Sequence, residues 1–225
     1  MSTVGLPMVR MHGMNSDPFA RPGVLAIFRG FQPAEVGDVA RLACEAGFRH
    51  IEVALNTPEA RECLEALLAM RPELPPDLQL GAGTVRSHTD LDLAISLGLD
   101  FCLSPGLNPE LLARARQQGL CFVPGILTPG EADRALLAGA ALVKLFPASL
   151  HGPTYIRMLK EPMQELRVLV SGGVRAENAR LFLEAGADFL AVGGSLFDPR
   201  RFRTVDRAEI RRAARDLMTR VFPNA

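Results

Sequence analysis

The chain has 225 residues, 48% of them hydrophobic, and its 25 basic side chains are balanced by 25 acidic ones. No basic run or aromatic-interleaved basic patch is available to footprint a nucleic acid or an anionic membrane, and no stretch approaches the 18 or so consecutive apolar residues of a membrane span. The cysteines (Cys44, Cys63, Cys102, Cys121) and histidines (His12, His50, His88, His151) are scattered without a C-x-x-C pair or a Cys/His cluster, which argues against a disulfide framework or a dedicated metal site and for reduced core residues in a cytoplasmic protein.

Residues 1–23 carry Pro, Gly, Asn and Asp without the apolar core of a signal peptide. They read as an N-terminal arm or capping segment, partly flexible, ahead of a single domain over 24–225. From residue 24 onward a short apolar run alternates with a longer segment whose apolar residues recur every three to four positions. Strands are expected at 24–29, 49–55, 78–82, 101–104, 121–124, 142–146, 168–171 and 189–192. Helices are expected at 34–46, 58–70, 89–97, 109–118, 129–138, 176–185 and 206–221. Several of these open near a proline (Pro33, Pro58, Pro109, Pro129) and close at a glycine (Gly47, Gly98, Gly119, Gly139, Gly186), the asymmetry that helix ends favour. Eight units of about 25 residues each leave room for a strand, a helix and two short loops. That count predicts an α/β fold, a single-domain (β/α)8 TIM barrel. A doubly wound open sheet is the alternative, but it would more often carry a Gly-rich fingerprint after the first strand, where this chain has Arg29-Gly30.

In such a barrel the chemistry sits where strands end and the next loops begin. Only two of the basic residues are lysines, Lys144 and Lys160. Lys160 lies in a polar stretch and reads as a surface charge. Lys144 interrupts the apolar run Ala141-Leu142-Val143-Lys144-Leu145-Phe146, where desolvation disfavours the ammonium; a neutral amine is a nucleophile toward carbonyl carbon. The competing reading is a lysine that snorkels its charge out of an edge strand. Alternation along a strand puts Glu52, Ala54 and Asn56 on one face and Lys144 with Phe146 on one face, while Val53 and Val143 face the helices. Glu52 and Lys144 can therefore point into the same barrel mouth, as an amine that forms an iminium and a carboxylate that shuttles protons. A buried ion pair is the alternative, and it is costly to desolvate.

The loops after the last two strands read Ser171-Gly172-Gly173-Val174 and Gly193-Gly194-Ser195-Leu196. Backbone N–H groups in such loops can close around a phosphate, helped by a helix N-terminus; tight turns requiring positive φ are the alternative. Arg29 ends the first strand with donors suited to a carboxylate. Thr84 either faces the site or caps a helix. His50 reads as a core or barrel-floor residue.

The motifs Ile51-Glu52-Val53-Ala54-Leu55-Asn56-Thr57-Pro58, Gly81-Ala82-Gly83-Thr84-Val85, Ser104-Pro105-Gly106, Val123-Pro124-Gly125, Lys144-Leu145-Phe146-Pro147-Ala148 and Gly172-Gly173-Val174 resemble those of the 2-keto-3-deoxy-6-phosphogluconate (KDPG) and 4-hydroxy-2-oxoglutarate (KHG) aldolases, in order and spacing, over about residues 24–198. The resemblance implies a (β/α)8 barrel, usually a homotrimer, that performs Schiff-base aldol cleavage with no metal or other cofactor. It makes Lys144 the Schiff-base lysine and Glu52 the general acid/base. It assigns Gly172, Gly173, Gly193, Gly194 and Ser195 to the substrate phosphate, and Thr84, Pro105 and Phe146 to the pyruvate pocket. Phosphogluconate-type members have Leu-Arg-Thr where this chain has Leu55-Asn56-Thr57. Arg29-Gly30, Leu55-Asn56 and Gly152-Pro153-Thr154-Tyr155-Ile156 are instead similar to the 2-dehydro-3-deoxy-6-phosphogalactonate aldolases, with Arg29 expected to supply the anion clamp that Asn56 cannot. Against that, Ser171 puts a hydroxyl where the phosphogluconate branch has threonine and the galactonate branch an aliphatic residue, and Ser104-Pro105-Gly106 also follows the gluconate side, so the stereochemistry at C4 stays open. The expected partners are a phosphorylated keto-deoxy sugar acid and pyruvate. The rivals are an aldolase acting on unphosphorylated 4-hydroxy-2-oxoglutarate, a proton-transfer or coupling enzyme on the same fold, and a non-catalytic phospho-sugar-binding barrel.

Overall fold

A computed structural model describes residues 17–223. The parallel strands β1 (Gly23–Phe28), β2 (His50–Ala54), β3 (Gln79–Gly83), β4 (Phe101–Leu103), β5 (Cys121–Val123), β6 (Gly125–Ile126), β7 (Val143–Leu145), β8 (Val168–Ser171) and β9 (Phe189–Val192) hydrogen-bond in the order β5-β4-β3-β2-β1-β9-β8-β7-β6. Nine segments occupy eight barrel positions. The fifth expected strand, 121–124, runs as β5 only to Val123, and Pro124, which has no N–H to give a ladder, separates it from β6, which lies beyond the expected bounds. β5 pairs with β4 and β6 with β7, so the covalent chain closes the barrel.

Helices α1 (Pro33–Glu45), α2 (Ala60–Ala69), α3 (His88–Ser96), α4 (Pro109–Gln117), α5 (Pro129–Leu137), α6 (Gly152–Lys160), α7 (Ala179–Glu184), α8 (Pro199–Thr204) and α9 (Arg207–Val221) wrap the sheet. Their boundaries follow local chemistry. At α5, Thr128 and Glu131 bond each other's backbone N–H groups in a capping box and Pro129 takes the first turn. Two helices, α6 and α8, were not among the expected ones, and α7 is shorter than 176–185.

Alternation along the strands divides the core in two. Ala26, Phe28, Ile51, Val53, Ala82, Cys102, Val143 and Val170 pack outward against the helices. Leu25, Phe101, Leu103, Val123, Leu142, Leu169, Phe189 and Ala191 fill the barrel. The expected terminal arm falls partly outside the described residues, at 1–16. Of the rest, Phe19 is fully buried and seals the barrel floor, with its ring edge-on to Phe101 and Phe189 and stacked on His50. Arg167 binds Asp17 at 2.7 Å and the Phe19 carbonyl, holding that plug in place. Two inward positions must be glycine for the floor to close: a Cβ at Gly23 would stand 2.4 Å from the Phe189 ring, and one at Gly81 would stand 2.2 Å from Phe101.

Lys160 is not a generic surface charge. Its ammonium donates to the Gly186 carbonyl at 2.8 Å and to Asp188 at 2.9 Å, pinning the end of α6 to the start of β9.

Candidate active site

At the opposite, C-terminal end of the strands the barrel interior turns polar. Glu52 in β2 and Lys144 in β7 both point inward, 1% and 5% exposed. The Lys144 ammonium sits 5.4 Å from the centre of the Phe146 ring. It does not snorkel to solvent. Among the described residues it makes no ion pair with Glu52, whose Oε2 is buried without a hydrogen-bond partner. An unpaired buried carboxylate is expensive, so burial raises the proton affinity of Glu52 above its ordinary value, against the opposing pulls of Lys144 and Arg29. The carboxyl is thereby suited to hold and release a proton, which a tightly paired carboxylate would not be.

Gly83 makes room for that carboxyl. A Cβ there would lie 2.3 Å from Glu52 Oε1, so the two inward glycines of β3 serve the floor and the mouth in turn. Gly83 carries no role of its own in the motif Gly81-Ala82-Gly83-Thr84-Val85 as read from sequence, although two glycines spaced by two on one strand are a signal for close approach. Gly125 plays a similar part: its missing Cβ admits the Pro105 carbonyl, and its N–H donates to the Ser104 hydroxyl at 3.3 Å. Ser104 in turn donates to the Gly106 carbonyl at 2.6 Å, so the Pro105 turn is held against the break between β5 and β6.

Arg29 follows β1 and Thr84 follows β3, on either side of the strand that carries Glu52. The Arg29 guanidinium reaches Thr84 Oγ1 at 3.5 Å and its charge is felt at Glu52, so it lies across the mouth. Thr84 does not cap a helix: the α3 cap is Ser87, which accepts from the Asp90 N–H. Thr84 instead holds a φ of 62°, a costly value for a β-branched residue and one tolerated mainly where the surroundings dictate it. Asn56 is exposed beyond the end of β2, and no side-chain hydrogen bond ties it to the other site residues among those described. The neighbouring Thr57 is buried and accepts from the Gly30 N–H at 3.0 Å, a role not assigned from sequence.

The two glycine loops differ. Gly172 and Gly173 both have φ of 88°, and their missing side chains admit Phe146 with Pro147 and Ser149. Ser171, before them, is buried. Gly193 and Gly194 do not have positive φ, and Gly194 faces open space, so the steric need for glycine applies to the first loop only. Ser195 donates to the Val174 carbonyl at 2.8 Å and ties the loops together. The helices that follow, α7 and α8, have six residues each, and the first turn of α8 is capped by its own Asp198. Helix-dipole help for an anion is accordingly smaller than expected.

Phe146 is 39% exposed beside Gly172, forming an apolar wall between Lys144 and the first glycine loop. The cysteines do not compete as nucleophiles, since burial pushes the thiols of Cys44 and Cys63 up to about 11. Among the described residues no three His, Cys, Asp or Glu side chains group as a metal ion would require. A cavity of about 780 Å³ opens at the other end, beneath the floor, lined by residues including Arg49, His50, Met218 and Phe222. None of the expected site residues lines it, so volume alone does not locate the chemistry.

Residues 21–213 match the family model described as aldolase, KDPG and KHG aldolase. The chain is 33% identical to a probable 2-dehydro-3-deoxy-6-phosphogalactonate aldolase of Rhizobium meliloti (strain 1021), over 81% of this chain and 84% of the relative. It is 36% identical to a 2-dehydro-3-deoxy-phosphogluconate aldolase of Treponema pallidum (strain Nichols), over 72% and 75%. Among solved structures, the native KDPGal structure superposes with a TM-score of 0.80 at 29% identity, covering 88% of this chain and 93% of that one.

Proposed function

Since the chain belongs to the KDPG and KHG aldolase family, it is an aldolase, a carbon–carbon lyase, and we propose that it cleaves a 2-keto-3-deoxy-6-phospho sugar acid to pyruvate and glyceraldehyde 3-phosphate through a Schiff base on Lys144. The observation that carries the residue assignment is a buried lysine that forms no ion pair among the described residues, facing a buried carboxyl of raised proton affinity. Lys144 attacks the C2 ketone to give a carbinolamine, and loss of water, with a proton from Glu52, leaves an iminium. Glu52, directly or through a water, then takes the proton of the C4 hydroxyl as the C3–C4 bond breaks. The bond's electrons pass into the iminium, giving an enamine and releasing the aldehyde. Protonation at C3 and hydrolysis release pyruvate and restore the amine.

In this reading Arg29 binds the carboxylate, with Asn56 beside it. Thr84, Pro105 and Phe146 shape the pyruvate pocket, with Ser171 near the ketone. Gly172, Gly173, Gly193, Gly194 and Ser195 receive the phosphate, the first pair more directly because their conformation opens the backbone. Relatives named for both the gluconate and the galactonate phosphates leave two C4 epimers as substrates. A coupled pyruvate-release assay on both epimers and on unphosphorylated 4-hydroxy-2-oxoglutarate decides among them. Turnover of the phosphorylated acids at a kcat/KM at least about tenfold above the unphosphorylated one supports the phosphate site; equal values would remove it.

The subunits are proposed to form a homotrimer in the cytoplasm. The exposed Leu150, Met158 and Leu181 supply apolar surface for an interface, and no helix among the described residues is long and apolar enough to cross a membrane. Sedimentation at a monomer mass would contradict the trimer. The chain is proposed to divide into an N-terminal segment, 1–23, and a catalytic domain, 24–225; in the described part of that segment Phe19 caps the barrel floor.

A further inference from the structure

Among the described residues the Arg29 guanidinium makes one side-chain hydrogen bond, a 3.5 Å approach to Thr84, and Arg29 is exposed. That contact is too long to fix a flexible arginine. Its backbone is held far more firmly. Gly30, the next residue, turns left-handed with φ of 77°. Its N–H donates to Thr57 Oγ1 at 3.0 Å, from the end of β2. Its carbonyl accepts a longer contact, 3.4 Å, from Arg203 on α8. Arg203 is itself fixed by a two-pronged grip on Glu35, at 2.6 and 2.7 Å, and Glu35 also accepts from the Gln32 N–H at 2.9 Å. The Arg203 guanidinium holds the Glu35 carboxyl below its ordinary value, as expected of a persistent pair. The peptide groups flanking Gly30 are thus clamped by two separate elements, immediately after the residue whose side chain must lie across the mouth.

We propose that Thr57 and Arg203 are positioning residues that set Arg29 for the substrate carboxylate, and so govern affinity for 2-oxo acids without taking part in bond cleavage. The proposal rests on the aldolase reading above. It makes the clamp a selectivity device: a ketone lacking a carboxylate does not need Arg29, so it does not sense the clamp.

The test is borohydride trapping on purified full-length protein, reading the concentration that half-saturates adduct formation for pyruvate and for hydroxyacetone, a ketone of equal carbon number with no carboxylate. Thr57→Val, which keeps the shape and deletes the acceptor, raises the half-saturating pyruvate about 5- to 20-fold and leaves hydroxyacetone within about twofold. Thr57→Ser restores the parent value. Arg203→Met, at an exposed position, gives a smaller shift of about two- to fivefold for pyruvate alone. In an Arg29→Met background Thr57→Val adds nothing further. An unchanged pyruvate value in Thr57→Val, equal shifts for both ketones, or a shift that persists without Arg29 each overturns the proposal. A parent protein that traps neither ketone removes the aldolase reading itself, and the clamp's role with it.

Discussion

His50 and Glu52 lie two residues apart on β2, both pointing into the barrel and both buried, yet they meet opposite environments about 7 Å apart. His50 is boxed by Phe19 and Phe189 and hydrogen-bonds the Pro18 carbonyl at 2.7 Å. Glu52 faces an arginine and a lysine that do not pair with it, and one of its oxygens has no partner. Floor and mouth are thus built for different ends. The floor satisfies its polar groups and fills its volume, which stabilises the fold. The mouth leaves charge unpaired and backbone strained at Thr84, which costs stability and leaves groups free to react.

Substitutions at the two ends should separate activity from stability, and four of them probe the contrast. Lys144→Met at the mouth is expected to lower kcat/KM at least about 10³-fold with no loss of thermal stability. Residual turnover within tenfold of the parent would place the amine elsewhere. Glu52→Gln is expected to lower kcat by about 10²- to 10⁴-fold, and also to raise Tm. The sign follows from its raised proton affinity. Below the ordinary carboxyl value near 4.5 the group is protonated in folded and unfolded chains alike and costs nothing. As pH climbs, the unfolded chain ionises first and the folded state loses stability until its own carboxyl has titrated. The Tm advantage of the glutamine variant should therefore be absent at pH 4 and widen toward neutrality; a constant gap would contradict it.

At the floor the ranking inverts. Phe19→Ala is expected to cost about 3–5 kcal/mol in denaturant unfolding, with kcat of the folded enzyme within about twofold of the parent. A large loss of kcat at full occupancy of the folded state would show that the two ends are coupled. The smallest effect belongs to Asp17→Asn, which weakens a half-exposed pair with Arg167 and should cost about 0.5–1 kcal/mol with unchanged kinetics.

The same contrast explains what the sequence could convey. The barrel was legible because alternating apolar runs and helical periods are local patterns, and Lys144 and Glu52 stood out because charge inside an apolar strand is locally anomalous. The break at Pro124 was missed because a proline at a strand's end and one within a strand look alike until the partner strands are known. Helix α6 opens on Gly152-Pro153, a pair that reads as a turn when met in sequence. Helix α8 spans only six residues, three of them arginines, with Phe202 its one buried apolar side chain. Phe19 as a plug and Thr57 as a clamp depend on residues tens to well over a hundred positions away, such as Phe189 and Gly30, and no local pattern encodes such contacts. The difference between the glycine loops was equally hidden, since both read as Gly-Gly while only Gly172 and Gly173 take positive φ.

The claim that the unpaired amine at the mouth is the reacting group is tested most directly by reducing the protein with borohydride in the presence of pyruvate and mapping the adduct by peptide mass spectrometry. The account predicts one reduced pyruvate per chain, on the peptide carrying Lys144, with the peptide carrying Lys160 unmodified and no adduct in Lys144→Met. An unmodified Lys144 peptide under conditions where the enzyme turns over, or an adduct confined to Lys160, would contradict it.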